Sequence, residues 1–341
     1  MVAVEIAAIE PADLTLSTIA KHFSDEEAAW AFLEQTKWPN GPVCPRCGVV
    51  GNAYFLTPKQ GARTTRTGKT TYRRLWKCGA CRQQFSVLVG TVMEDSKIPV
   101  SKWLLAIHML NAGKNGVSAL ELSRTLGIGY RAAWFMAHRI RYAMAPQPSE
   151  QEQPPTRLQG VVEADETYIG GRARGKRGRG AANKTPVVTL VERNGEARSQ
   201  VVTNVTGENV RAILQRHVEA DATLMTDGYQ IYRQPGQAFA AHHTVDHGAG
   251  EYARTVGEGE TAVRAHINTA EGYFSQLKRS LDGTHHHVSE KHLPRYLAEF
   301  DYRYSTRKIK DGERTVRTIR QVAGKRLRYR SQQGHGATLT Y

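Results

Sequence analysis

No stretch of this chain approaches the ~20 consecutive apolar residues that a membrane span needs, and the N-terminus lacks the basic-then-apolar order of a signal peptide. A membrane role and export are therefore not expected; the cytoplasm is, with nucleoid association in a bacterium. Cysteine is scarce, with four residues confined to two Cys-x-x-Cys pairs. In a reducing compartment such pairs read as metal ligands before disulfides. Acid is in short supply too. Against 47 Lys and Arg stand 32 Asp and Glu, a formal charge of +15. That excess draws polyanions and costs self-repulsion without one, so nucleic acid is the leading partner. A length of 341 residues allows two or three domains.

In the amino-terminal third, Ser24 and Glu27 resemble a capping box, and Glu27 to Leu33 has the spacing of a short amphipathic helix. The two knuckles follow, Cys44-Pro45-Arg46-Cys47-Gly48 and Cys78-Gly79-Ala80-Cys81-Arg82. Each is a tight turn whose amides face the thiolates, and together they predict a tetrahedral structural Zn²⁺ site in a zinc ribbon. Lys59, Arg63, Arg66, Lys69, Arg73 and Arg74 lie between them with few acids, a surface that could follow phosphates.

From Ser101 the pattern turns helical. Trp103, Leu104, Ile107 and Leu110 repeat at helical spacing, Ala119 to Leu126 forms a second helix broken by Gly127, and Tyr130 to Met144 a third. The last two predict a helix-turn-helix whose second member carries Arg131, His138, Arg139 and Arg141, with Arg131 and Arg139 as DNA contacts. A plain three-helix bundle has the same apolar spacing.

Pro146 to Pro155 is polar and proline-rich, an interdomain linker. Beyond it, Gly160 to Gly171, Pro186 to Glu192 and Arg198 to Val205 read as strands, Gly207 to Val218 as a helix and Ala222 to Gly228 as a short strand. His242 to Val245 reads as a fifth strand, before a helix beginning near Ala265. This is the ribonuclease H-like order. It brings Asp165 on a central strand, Asp227 at the end of a neighbour and a third ligand from the last helix towards one point.

Such a set suits two divalent ions about 4 Å apart, which serve in-line displacement at phosphorus. Oxygen ligands select Mg²⁺, with Mn²⁺ possible. Asn268 and Glu271 are three apart on one helix and share a face, so both stand as candidates for the third ligand. Lys278 falls on that same face, about 20° from Glu271, and is assigned to gripping a DNA phosphate. Glu163 and Glu166 are assigned to the strand face opposite Asp165 as supporting groups. His242, His243, His247, His266 and His285 to His287 match no tight ligand spacing and are given surface or phosphate-facing roles.

The segment after the first acid holds Arg172, Arg174, Lys176, Arg177 and Arg179 among glycines, a flexible tongue for a duplex beside the metals. The chain from Arg303 to Arg330 is basic again and is expected to run along DNA or another subunit. The expected organisation is a lead-in helix and zinc ribbon over 20–95, a helix-turn-helix-like domain over 96–145 and a linker over 146–158. The ribonuclease H-like domain, a mixed sheet with flanking helices, then covers 159–308 and a basic tail 309–341.

These residues resemble bacterial insertion-sequence transposases of the fifteen-ninety-five, ISXO-like group. The likeness runs from Trp38-Pro39 and the first knuckle to Arg303-Tyr304. Its most specific pieces are Glu163-Ala164-Asp165-Glu166-Thr167-Tyr168-Ile169-Gly170-Gly171, Thr226-Asp227-Gly228-Tyr229 and His266 to Arg279, followed by Gly283 to Ser289 and Arg295 to Phe300. The resemblance implies DNA transposition with Asp165, Asp227 and an Asn or Glu as the metal-binding set. Many relatives have Asn third, which adds weight to Asn268. Where they commonly read Arg-Tyr-Asn-x-Arg, this chain has Arg303-Tyr304-Ser305-Thr306-Arg307.

The expected activity is a transposase that binds double-stranded DNA at terminal inverted repeats, cuts the 3′ ends and joins them to target DNA as a homodimer or larger assembly. The rivals are a zinc-ribbon DNA-binding protein without catalysis and a ribonuclease H-like nuclease that does not join.

Overall fold

The computed structural model describes residues 10–56, 74–147, 156–170, 184–259 and 262–327, and the backbone of 63–64 and 70–71. They fall into two compact units. One takes the chain up to Met144 and again from Ile309; the other runs from Ala145 to Lys308.

The first unit opens with α1 (Leu16–His22) and α2 (Glu26–Lys37). The cap of α2 is Asp25, whose carboxylate accepts from the amides of Glu27 and Ala28, and not Ser24. A carboxylate one residue later reaches those amides more favourably and suits the positive helix end. Strands β1 (Ala53–Leu56), β2 (Arg63–Thr64), β3 (Thr70–Thr71), β4 (Leu75–Cys78) and β5 (Gln84–Phe85) follow. β1, β4 and β5 form an antiparallel sheet. Buried Glu34 ties α2 to this sheet by accepting from the Trp76 indole at 2.8 Å and from Arg74 at 2.9 Å.

Helices α3 (Val100–Ala112), α4 (Ala119–Leu126) and α5 (Tyr130–Met144) complete the amino-terminal portion. The α3 cap position is Pro99, which offers no side-chain acceptor; Glu26 of α2 takes the amides of Val100 and Ser101 instead. Gly127 ends α4 at φ 57, a left-handed position that glycine occupies without steric cost. The sequence-derived helix–turn–helix spans thus coincide with α4 and α5.

The second unit is a five-stranded mixed sheet. It comprises β6 (Val161–Ile169), β7 (Thr185–Glu192), β8 (Ala197–Val201), then α6 (Gly207–His217), β9 (Thr223–Asp227) and β10 (Ala241–Val245). The spatial order is β10-β9-β6-β7-β8, antiparallel from β6 to β8 and parallel across β6, β9 and β10. A hairpin that the sequence pattern did not reveal, β11 (Arg254–Val256) with β12 (Val263–Ala265), precedes α7 (Asn268–Ser280). Its strands of three residues are too short to show a period. Helix α8 (Leu293–Ser305) follows.

Alternation along β6 and β7 sorts two cores. Val162, Ala164, Val188 and Leu190 pack with Val210, Ile213 and Leu214 of α6. Ile169, Val187 and Val191 pack with Ala270, Tyr273 and Phe274 of α7 and Leu297 and Phe300 of α8. The outer edge of β8 is closed by α8, where Ser305 Oγ accepts the amide of Ala197 and Asp301 that of Ser199. Leu158, expected in the linker, is buried in the first of these cores and bridges to Val218, because an apolar residue gains more there than in solvent.

Over its described residues, 309–327, the expected basic tail is folded. Asp311–Arg320 forms α9, which packs on α3 in the first unit. Thr315 bonds to His108, and Thr318 to Asn111. Lys325, 2% exposed, donates to the Ala143 carbonyl, and Arg326 pairs with Asp95. These cations are spent on carbonyls and acids of this unit.

Candidate active site and cysteine cluster

The ligand atoms of Cys44, Cys47, Cys78 and Cys81 all lie within 4.8 Å of one another. Cys44 and Cys81, and Cys47 and Cys78, have sulfurs 3.6 Å apart. The knuckles repeat one turn. Gly48 and Arg82, each following the second cysteine, have φ 72 and φ 60 and donate their amides to the carbonyls of Cys44 and Cys78. Burial works against ionising Cys44, yet amides of Cys47 and Arg46 pull its thiol down to about 6. At Cys47 the amide bond from Val49 is outweighed by burial and the adjoining sulfurs, and the thiol rises to about 11. Four sulfurs this close resist shared ionisation unless a cation sits among them, which fits a tetrahedral thiolate site.

The second site lies on the sheet. β6 and β9 pair in parallel with Val161 against Thr223 and Glu163 against Met225. The pairing ends there; Asp165 and Asp227 each stand two residues beyond it, on the strand faces that carry Glu163 and Met225. Burial, then the charges of Glu166, Asp227 and Glu271, push the Asp165 carboxyl up to about 8, against one amide bond from Glu166. Proximity to both acids is therefore written into its proton affinity.

α7 buries Ala270, Tyr273, Phe274 and Leu277 and leaves Asn268, Glu271 and Lys278 exposed along its other side. Glu271 Oε1 lies 3.5 Å from His247 Nδ1, and the Lys278 ammonium sits 6.0 Å from the Phe274 ring centroid. Among the described residues, the four cysteines alone form a group of three or more ligand atoms close enough to hold one ion. The neighbouring carboxylates raise the proton affinity of Asp165, and a hard cation would relieve that.

Glu163 corrects the expectation of opposite faces. Residues two apart on a strand share a face, so Glu163 lies on the side of Asp165; only Glu166 points the other way, where it accepts the Tyr232 hydroxyl at 2.9 Å. Glu163 is fully buried. Its carboxylate accepts from Arg193 at 2.7 Å and, at the start of α7, from the amides of Thr269 and Ala270. The sequence signal was its spacing of two from Asp165; its partners are distant in the chain and were not legible.

Arg139 is corrected as well. It is 8% exposed, donates to the carbonyls of Glu94 and Leu327, and lies over Phe135 at 4.9 Å. Burial and those bonds remove it from the DNA-facing set, and Arg141 and His138 are buried beside it. Arg131 is exposed at the N-terminal end of α5, next to exposed Tyr130. Arg74 is taken up by Glu34 and Glu27. Arg172, Arg174, Lys176, Arg177 and Arg179 lie outside the described residues, as do the side chains of Lys59, Arg63, Arg66, Lys69 and Arg73.

Residues 157–305 match the family described as the ISXO2-like transposase domain, and residues 24–84 match the transposase zinc-ribbon domain. The chain is 28% identical over 322 residues to an uncharacterized protein in transposable element ISH50 of Halobacterium salinarum, covering 89% of this chain and 98% of that one. Among solved structures it is similar to the Mos1 transposase paired-end complex with left transposon end, at 11% identity, TM-score 0.25, and coverage of 61% and 71%. A pre-cleavage Mos1 transpososome matches at the same identity and TM-score, with coverage of 61% and 72%. No helix among the described residues is long and apolar enough to cross a membrane.

Proposed function

Because the chain belongs to the ISXO2-like insertion-sequence transposases, we propose that it binds the terminal inverted repeats of its element, cuts the 3′ ends and joins them to target DNA. The sheet order and the strand-end acids support a ribonuclease H-like catalytic unit. The observation that carries this is that the charges of Asp227, just past the β6–β9 pairing, and of Glu271 on α7 both act on Asp165.

Asp165 and Asp227 would hold Mg²⁺, with Asn268 or Glu271 supplying the third protein oxygen. When bound, two such ions supply charge stabilisation at the attacking and leaving oxygens of a phosphodiester. Asp165 must give up its proton to act as a ligand, and its raised proton affinity makes that step pH-dependent. Lys278, exposed on the ligand-bearing side of α7, is placed to neutralise a phosphate flanking the cut. Phosphoryl transfer depends mostly on positioning and charge, so a rigid strand pair and a docked helix are the required parts.

The cysteine cluster holds Zn²⁺ in this reading and keeps the ribbon folded. DNA recognition falls to Arg131 and the exposed start of α5, in the manner of a recognition helix that reads with its first turn. The basic segment 172–179 would track the duplex backbone. Two ends must be held together, so a homodimer or larger assembly on DNA is expected.

The test combines binding, cleavage and strand transfer on duplexes carrying the element's ends. Asp165→Ala and Asp227→Ala are expected to keep end binding and lose both chemical steps in Mg²⁺ or Mn²⁺. Undiminished metal-dependent cleavage by either variant would overturn the assignment. Cleavage without joining by the wild-type protein would leave a nuclease.

A further inference from the structure

We infer that Glu163 is the positioning residue that fixes where α7 delivers Asn268 and Glu271 relative to Asp165. The inference rests on the proposed metal site and adds the part that sets its geometry.

α7 needs an outside acceptor. The residue before it is Ile267, which has no side-chain capping bond, and an uncapped helix start leaves amides without partners. Glu163 supplies the missing oxygens from the neighbouring strand. It accepts the Thr269 amide at 2.8 Å, the Ala270 amide at 3.0 Å and the Thr269 hydroxyl at 2.8 Å. An anion here also complements the positive end of the helix dipole.

The same carboxylate organises the approach to the helix. Arg193 donates to it at 2.7 Å and extends to the carbonyls of Arg264 at 2.7 Å and His266 at 3.1 Å. His266 Nδ1 lies 3.2 Å from Glu163. One buried ion pair therefore holds the residues just before α7 and its first turn.

These contacts also exclude a rival role. A carboxylate has about four lone-pair sites, and Glu163 spends its two oxygens on the two amides, the hydroxyl and the guanidinium. None is left for a metal, so Glu163 acts through the helix and not as a ligand.

The apolar contacts cannot do this work alone. Packing of Ala270, Tyr273, Phe274 and Leu277 sets the distance and roll of α7, but apolar contact is non-directional and tolerates small slides along the axis. Directional charge-assisted bonds at the first turn do not. Glu163 is two residues from Asp165 on one strand, and Asn268 adjoins Thr269, so the anchor links the two ligand-bearing elements directly.

The test uses the full-length, zinc-loaded protein with Glu163→Gln, which keeps the length but presents an amide NH₂ to donors. Hydrogen exchange is followed in metal-free protein over peptides covering the first and last turns of α7, and Mg²⁺ is titrated in the end-cleavage assay. The expected result is tenfold or faster exchange at Thr269 and Ala270 with the Leu277 end unchanged. The Mg²⁺ needed for half-maximal cleavage should rise tenfold or more, with end binding within about twofold of wild type.

Unchanged exchange at the first turn overturns the clamp, whether or not DNA is cut. Faster exchange with an unchanged Mg²⁺ requirement overturns its link to the ligands. If wild-type protein shows no metal-dependent cleavage, the proposed function fails, and the exchange measurement alone decides whether Glu163 anchors the helix. Should Glu163→Gln not fold, Arg193→Gln removes the bridging arm while leaving the amide bonds, and the same readouts decide with smaller expected changes.

Discussion

Asp165 and Asp227 each stand two residues beyond the last paired position of adjoining parallel strands, and the second carboxylate helps raise the proton affinity of the first. Burial adds to that effect, and Asp165 keeps its proton up to about 8. Ionising Asp165 in this place costs free energy, and a bound cation would offset that cost.

The pH dependence follows with a definite sign. Asp165 holds its proton up to about 8, against an ordinary 3.8. Its contribution to stability is therefore complete below about 3.8 and lost as pH rises through about 8. Asp165→Asn removes that loss. Metal-free variant is expected to be more stable than wild type at pH 8.5 by about 1–3 kcal/mol and nearly equal to it at pH 4, measured by thermal unfolding. Parallel melting of the two across this range would refute the assignment. Mg²⁺ should narrow the gap at pH 8.5, because only wild type gains from it.

Removing zinc should unfold the ribbon and not the helices. Trp76 packs edge-on against Trp38 and Phe55 at 6.3 and 5.4 Å, on the strand that ends in Cys78. Chelation, or Cys78→Ser, is expected to shift tryptophan emission to the red while most far-ultraviolet helix signal remains. One zinc per chain by elemental analysis is the companion expectation; a ribbon signal indifferent to chelator would count against the metal.

Much of the fold was legible because its patterns are local. β6, β7, α6 and β9 were found from apolar runs and turn residues, and the knuckles from cysteine spacing. What escaped depends on partners far away in the chain. α9 looked like a charged tail because Thr315 and Thr318, which it buries, are polar; their partners His108 and Asn111 lie 207 residues away. Helical spacing likewise gives no sign that Arg139 is buried while Arg131 is exposed. At the acid site the strand ends could be read, but the Glu163 partners Arg193 and Thr269 come from other elements.

The two arginines of α5 should separate in experiment. Arg139→Ala loses two carbonyl bonds and its stacking on Phe135, so it is expected to cost about 2–4 kcal/mol of stability. Arg131→Ala should leave the melting temperature unchanged and weaken end binding, lowering the salt slope by about one. Both effects are read from denaturant titration and from binding at several salt concentrations. Equal melting of the two variants would contradict the burial argument.

Asp301 guards the edge of the sheet. It accepts from the Ser199 amide, the Ser199 hydroxyl and the Tyr273 hydroxyl. Asp301→Ala leaves the buried Tyr273 hydroxyl and two donors of half-buried Ser199 without that acceptor, at roughly 3 kcal/mol. It also uncovers an amide on β8, so increased self-association on warming is expected by light scattering.

The return of the chain to its first unit has a bearing on synthesis. A ribosome has delivered the helices up to Met144 long before it reaches α9, yet α9 and Lys325 supply part of the packing around α3 and α5. The early unit must wait until the chain has been made through Lys325. A premature stop after Lys308 would release a polypeptide with an intact sheet and an unfinished amino-terminal half.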